Sequence, residues 1–170
     1  MILKQLLQPD WDLDYSLPEL PLNQLIRRHF RALILDVDCT LVPNCHSHLP
    51  VSVEGWLNEA KDYFDLWLFS NNPSNYHIGK LAKKLNLPFR NRVAKPRIRA
   101  LQRLVSEINL PYNQIAIIGD RIFSDILTGN RLGLFTVLVN PVTRDGYSRK
   151  KQGMQNVERE LTRWIGGSVN

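Results

Sequence analysis

Three residues in LILDVDCTLV, Asp36, Asp38 and Thr40, alternate directly after an apolar run. Two acids two positions apart on one turn can divide two jobs: the first enters a site as ligand or nucleophile, and the second stands back to move protons. Ser70 and Asn71 follow the run DLWLF, Lys95 sits in VAKP, and Asp120 and Asp125 lie in IIGDRIFSD. Together these residue types suit phosphoryl transfer. A phosphate monoester carries about two negative charges, so a pocket that also holds Asp36 and Asp120 repels itself unless cations are supplied. A hard, oxygen-ligated Mg2+ and the ammonium of Lys95 are the natural pair. Ser70 and Asn71 then offer neutral donors to the remaining phosphoryl oxygens. Singly, each residue has an ordinary alternative, the acids as turn or helix caps and Lys95 as a solvated cation. Their joint arrival after successive apolar runs is what points to a site. Asp12 and Asp14 make a second D-x-D followed by Ser16, but no buried strand precedes them and no partner motifs follow at matching intervals.

Four separated stretches need a scaffold that brings them to one point. RALILDV at 31–37, DLWLFS at 65–70, QIAIIGD at 114–120 and LFTVLVN at 134–140 have the short apolar pattern of buried parallel strands. Between them apolar residues recur at helical spacing. Val53, Trp56, Leu57, Ala60 and Phe64 share a face of a helix that Ser52 is placed to cap, and Ile78, Leu81 and Leu85 share one within 74–85. Ile98, Leu101, Val105 and Ile108 follow Pro96, a proline suited to a first helical turn, which puts Lys95 at a helix N-terminus. A helix through Ile126 stops near Gly133, and a last amphipathic helix carries Met154, Val157, Leu161, Trp164 and Ile165 before Gly166 and Gly167. Strands alternating with helices predict an α/β fold, a three-layer α/β sandwich around a mostly parallel sheet. In such folds ligands bind beyond the carboxyl ends of the strands.

The 170 residues, 44% hydrophobic, suffice for one core. The expected organisation is an N-terminal extension over 1–21, punctuated by Pro9, Pro18 and Pro21 and laid on the domain outside its central sheet, then one domain over 22–170. Within the extension Trp11, Leu13, Tyr15 and Leu17 alternate with Asp12, Asp14 and Ser16, a period that suits an edge strand. Two cysteines, Cys39 and Cys45, make no disulfide framework and fit a reducing, cytoplasmic setting. The N-terminus lacks a signal-peptide core, and no apolar run approaches the ~18 residues that cross a bilayer. The net charge is +6, and from Leu66 to Ser106 there is no acid but nine cations: Lys80, Lys83, Lys84, Arg90, Arg92, Lys95, Arg97, Arg99 and Arg103. Such a stretch is either a solvated face or a surface for anionic partners. Cys45, His46 and His48 could bind zinc but lack a fourth ligand, so a solvated loop is the preferred reading. Arg121 and Arg131 flank the last motif and default to helix-surface roles.

The motifs resemble those of the haloacid dehalogenase superfamily, in the family's order: LILDVDCTLV its first, LFS at 68–70 its second, Lys95 in VAKP its third and IIGDRIFSD its fourth. The resemblance implies a Rossmann-like phosphatase fold. It implies Asp36 as the nucleophile that forms a phosphoaspartyl intermediate, and Asp38 as the acid and base. It further implies Asp36, Asp120 and the main-chain carbonyl of Asp38 as Mg2+ ligands with Asp125 in support, and Ser70 and Lys95 on the phosphoryl group. Only 29 residues separate Thr40 from Ser70, and 24 separate Ser70 from Lys95. The helices and strands above use that length, so no large cap domain fits, and an open site favours phosphates on large bodies.

Over nearly its whole length the sequence is similar to the YqeG family, through PELPLNQLIRRHFRALILDVDCTLV, NRVAKPRIRAL and GDRIFSDILTGNRLGLFTVLVNP. That branch includes phosphatidylglycerophosphate phosphatases. The resemblance implies a phosphorylated substrate, a phospholipid headgroup, met at the inner face of a membrane, and the basic stretch agrees through attraction to anionic lipid. Ile2, Leu3, Leu6, Leu7 and Trp11 could insert shallowly, with packing on the domain preferred. Two alternatives stand: a phosphatase of small soluble or nucleotide phosphates, and a non-catalytic module binding RNA or phosphate. No obligate nucleic acid is expected, and oligomeric state is not legible.

Overall fold

The computed structural model describes residues 3–43, 48–147 and 154–164. In chain order the elements are α1 (Leu3–Leu7), β1 (Trp11–Asp12), α2 (Leu22–Arg27), β2 (Ala32–Leu35), α3 (Val51–Ala60), β3 (Asp65–Phe69), α4 (Asn75–Leu85), β4 (Phe89–Arg90), α5 (Arg99–Ile108), β5 (Ile115–Gly119), α6 (Leu127–Leu132), β6 (Phe135–Leu138) and α7 (Met154–Trp164). The six strands form one sheet in the order β1-β6-β5-β2-β3-β4. Every pairing is parallel.

Alternation along the central strands sorts side chains onto two faces. Leu33, Leu35, Leu66, Leu68, Ala116 and Ile118 pack against α2, α3 and α4, while Ala32, Ile34, Phe69, Ile115 and Ile117 pack against α5. Both faces are covered, so β2 and β5 read as unbroken apolar runs rather than as alternating ones. This is the expected three-layer α/β sandwich, and among the described residues the segments that join the central strands carry no inserted cap domain.

Several local expectations differ from what is found. The N-terminal segment joins the sheet instead of lying outside it, as the edge strand that its alternation suited: Trp11 and Asp12 pair with Val137 and Leu138. Leu7 is buried and Trp11 packs on the core beneath the guanidinium of Arg28, so neither is free to enter a bilayer; Ile2 lies outside the described residues. Ser52 does not cap α3, which begins at Val51 behind Pro50; its hydroxyl donates to the Asp145 carbonyl instead. Pro96 belongs to a turn, and α5 starts three residues later at Arg99, so Lys95 sits in a loop. β4 carries too few residues, directly after Pro88, to leave a periodic signal.

The largest difference is α7. Its spacing predicts Val157, Leu161 and Trp164 on a buried face, yet these are exposed, while Glu158, Arg159 and Thr162 are buried. Periodicity tells which residues share a face, not which face turns inward. Here polar partners on the body decide: Arg159 pairs with Asp12, and Glu158 takes up donors beyond β5. Asp12 of the second D-x-D is thus a structural ion-pair partner. Ile165, Gly166 and Gly167 lie outside the described residues.

Candidate active site

β2 and β5 are neighbours in register, with Leu35 opposite Ile118. Residues just past their ends therefore emerge side by side. The Asp36 amide donates to the Ile118 carbonyl at 2.9 Å, which holds the ladder one residue beyond β2. Asp120 follows Gly119 directly. Asp125 comes from a single π turn at Ile122–Ile126, where its Oδ2 accepts from the Arg121 amide at 3.1 Å. One oxygen each from Asp36, Asp120 and Asp125 lies within 4.8 Å of the others, and all three residues are buried. Gly119 permits this approach, because a Cβ there would overlap the Asp125 carboxyl group.

Lys95 enters from the loop after β4. Its buried Nζ donates to Asp36 Oδ1, to Asp125 Oδ1 at 2.6 Å and to the Phe69 carbonyl at 3.1 Å. Burial alone would lower the pKa of the ammonium, but Asp125 and Asp36 outweigh it and the lysine is held charged. Asp36 shows the opposite balance: burial, with Asp125 and Asp120 nearby, raises its pKa well above the ordinary carboxylate value despite the pull of Lys95. With three carboxylates ionised and one ammonium present, two negative charges remain. A hard divalent cation with oxygen ligands neutralises them, and the donor set fits one.

Asp38 stands at the margin, where its carboxylate accepts from Ser70 Oγ at 3.1 Å and from Asn72 Nδ2 at 3.2 Å. The Ser70 hydroxyl also accepts from the Asn72 amide at 2.9 Å. Thr40 Oγ1 donates to Asp120 Oδ1 at 3.3 Å and is fully buried. Asn71 spans the backbone of Lys95, accepting from its amide at 2.7 Å and donating to its carbonyl at 3.3 Å. The structure thus brings all eight residues singled out in the sequence to one place, with Thr40, Ser70 and Asn71 turned toward neighbouring site groups. A cavity of about 340 Å³ is lined by Asp36, Asp38, Asn71, Lys95, Asp120 and Arg121 among others.

Two participants were not foreseen. Asn72 fixes Asp38, one position beyond the Asn71 that directly follows Ser70 in the second motif. Glu158 accepts from the amides of Ile122 at 2.8 Å and Phe123 at 3.3 Å and from Arg121 Nε at 2.7 Å, tying α7 to the turn that holds Asp125. No local pattern announces it, because its partners lie 36 residues away. Cys39, half-buried beside the acids, has its thiol pushed up to about 12 by burial and by Asp120, Asp36 and Asp38, so it stays protonated at neutral pH. Cys45 and His46 lie outside the described residues, and His48 is exposed.

Comparison with known proteins gives the family and the fold. The HAD-hydrolase-like family profile matches residues 92–155. The probable phosphatase YqeG of Bacillus subtilis (strain 168) is 30% identical over 141 residues, 82% of this chain and 80% of that protein. Phosphatidylglycerophosphate phosphatase 1 of Arabidopsis thaliana, chloroplastic/mitochondrial, is 30% identical over 135 residues, 71% of this chain but 37% of that longer protein. Among solved structures, an uncharacterised protein of Listeria monocytogenes serotype 4b superposes with a TM-score of 0.56 at 17% identity, covering 81% of this chain and 99% of that one. A 3-deoxy-D-manno-octulosonate 8-phosphate phosphatase of Moraxella catarrhalis, solved with magnesium, phosphate and KDO, superposes at 0.51 with 18% identity over 85% of this chain and 91% of that one. At these identities the structures speak for the fold.

Proposed function

Since the chain belongs to the YqeG family of the haloacid dehalogenase superfamily and is a phosphoric monoester hydrolase, we propose that it dephosphorylates phosphatidylglycerophosphate at a membrane surface through a phosphoaspartyl intermediate. The observation that carries the chemistry is the cluster of Asp36, Asp120 and Asp125 around Lys95. Mg2+ is the cofactor; Asp36, Asp120 and the Asp38 carbonyl would hold it with Asp125 in support, and it would supply positive charge against the phosphoryl oxygens. An oxygen of Asp36 attacks phosphorus while the bond to the alcohol oxygen breaks, and Asp38 gives that oxygen its proton. Asp38, now ionised, takes a proton from water. That water attacks phosphorus, the Asp36 oxygen leaves, and inorganic phosphate is released. Lys95 steadies Asp36 and meets the phosphoryl group, and Ser70 with Asn72 aims Asp38. Thr40 and Asn71 support the same subsite through Asp120 and the Lys95 backbone.

A second cavity supports the lipid. About 410 Å³ in volume, it is lined by the apolar Val37, Val42, Leu49, Ile78 and Leu81, by Asp38, His48, Tyr76 and His77, and by the exposed Lys80 and Lys84. Asp38 lines both cavities, so with the phosphoryl group beside Lys95 the second cavity offers room for the body of the alcohol that Asp38 protonates. A lining rich in apolar side chains with two exposed lysines suits the acylglycerol and phosphodiester of phosphatidylglycerol better than a sugar or nucleoside. The Arabidopsis relative's printed activity points the same way.

The test is phosphate release from phosphatidylglycerophosphate in mixed micelles and from soluble esters, with and without Mg2+, by wild type and Asp36→Asn. Wild type is expected to favour the lipid and to need Mg2+, and the variant to lose several orders of magnitude in turnover. Turnover confined to soluble esters would defeat the lipid assignment. Full activity in Asp36→Asn would defeat the intermediate.

A further inference from the structure

α7 is fastened by its polar side. Glu158, Arg159 and Thr162 are 3%, 4% and 0% exposed, whereas Val157, Leu161 and Trp164 are 51%, 45% and 87% exposed. At 3.6 residues per turn these three fall within an arc of about 60°, turned away from the anchored face. The anchors also fix where the helix lies. Arg159 reaches Asp12 at the carboxyl end of β1 and Asn140 beyond β6, and Glu158 holds the amides just beyond β5. α7 therefore crosses the carboxyl ends of β1, β6 and β5, the end at which the acids gather. Tyr147, beyond β6, and Tyr76, at the start of α4, are exposed at that same end.

Leaving an apolar stripe in water while polar groups are buried beneath it is unfavourable unless something covers the stripe. Three side chains fall far short of the ~20–30 residues a side of a stable protein interface. A bilayer interface asks only for a narrow apolar face, with aromatic residues at headgroup depth. The charge agrees, since the chain carries +6 and enters α7 through Arg149, Lys150 and Lys151 in the sequence.

We propose that α7 is a docking helix whose Val157, Leu161 and Trp164 lie in the interface of an anionic bilayer, setting the mouth of the site against the surface that carries its substrate. The use made of this docking rests on the lipid substrate proposed above. Trp164 and Leu161 project outward, so Leu161→Asp with Trp164→Ala opens no cavity in the core.

The experiment is flotation of the full chain with vesicles of phosphatidylcholine and phosphatidylglycerol, next to phosphatidylcholine alone, for wild type and the double variant, with far-UV circular dichroism confirming equal folding. Wild type is expected to float with the anionic vesicles, and the double variant to partition about tenfold less or worse. Wild type that stays unbound, or a double variant that floats equally well, overturns the docking helix. So does a wild-type dimer that the double variant converts to monomer, because the stripe would then face a second copy. The two readings fail separately. Release of phosphate from micellar phosphatidylglycerophosphate without vesicle binding sinks the docking helix and spares the substrate, and α7-dependent vesicle binding without lipid turnover does the reverse.

Discussion

Lys95 Nζ and Asp125 Oδ1 lie 2.6 Å apart with side chains 2% and 1% exposed. The same ammonium also holds Asp36, so one cation keeps two buried carboxylates together. Lys95→Met retains the stem but takes the ammonium away from Asp36 and Asp125. The metal-free variant is expected to lose about 3–5 kcal/mol of stability, as broken buried pairs do. Mg2+ should then raise its melting temperature more than it raises that of wild type. Denaturant titration and melts with and without Mg2+ read both effects, and unchanged metal-free stability would contradict the pairing.

Gly119 faces Asp125 where no Cβ fits, while Gly55 on the exposed side of α3 has open space around it. Gly119→Ala must push Asp125 aside, and a marked fall in both Mg2+ affinity and turnover is expected. Gly55→Ala should instead stabilise α3 by about 0.5–1 kcal/mol with activity intact. Calorimetric Mg2+ titration and chemical denaturation distinguish the two.

Asp36 binds its proton more tightly in the folded chain, through burial and its acidic neighbours. Its contribution to metal-free stability is therefore fully present below the ordinary carboxylate range and is lost as pH rises through the raised folded value. Mg2+ selects the ionised form, so binding expels the proton, and apparent Mg2+ affinity should climb by up to about tenfold per pH unit while one proton is released. Titration calorimetry in two buffers of different ionisation enthalpy measures the release; a buffer-independent heat across the acid range would rule it out.

Glu158 receives the Ile122 and Phe123 amides beside the turn that bears Asp125. Glu158→Ala orphans both donors, at a cost of about 1–3 kcal/mol, and loosens that turn, so turnover should drop along with stability. Glu158→Gln keeps an acceptor and should recover most of both. A glutamine variant as damaged as the alanine one would point to charge rather than to acceptor geometry.

Cys39 holds its proton to about 12. At pH 8 only about one thiol in ten thousand is then ionised. In a Cys45→Ser background, alkylation by iodoacetamide should be far slower than for a free thiol, and Cys39→Ser should keep its turnover. Rapid labelling would show that the acids around this sulfur do not act as described.

The motif positions were readable because β2 and β5 are covered on both faces and stand out as apolar runs, each ending in an acid. What escaped depends on relations that no window of sequence contains. Asn72 aims Asp38 only because of how the chain turns after Phe69. Glu158 serves donors from a different element. β4 is held by pairing to Leu68 and Phe69 rather than by its own residues. α7 inverts the usual rule because Asp12 and the amides beyond β5 offer its polar residues better partners than the core offers its apolar ones.

Asp36 and Asp120 leave neighbouring, paired strands, so the ladder between β2 and β5, and not any loop, sets the bite of this acid pair on its ion. A lineage built on such a frame can lengthen, trim or replace the segments around the mouth, and with them its choice of alcohol, while the reacting centre keeps its span.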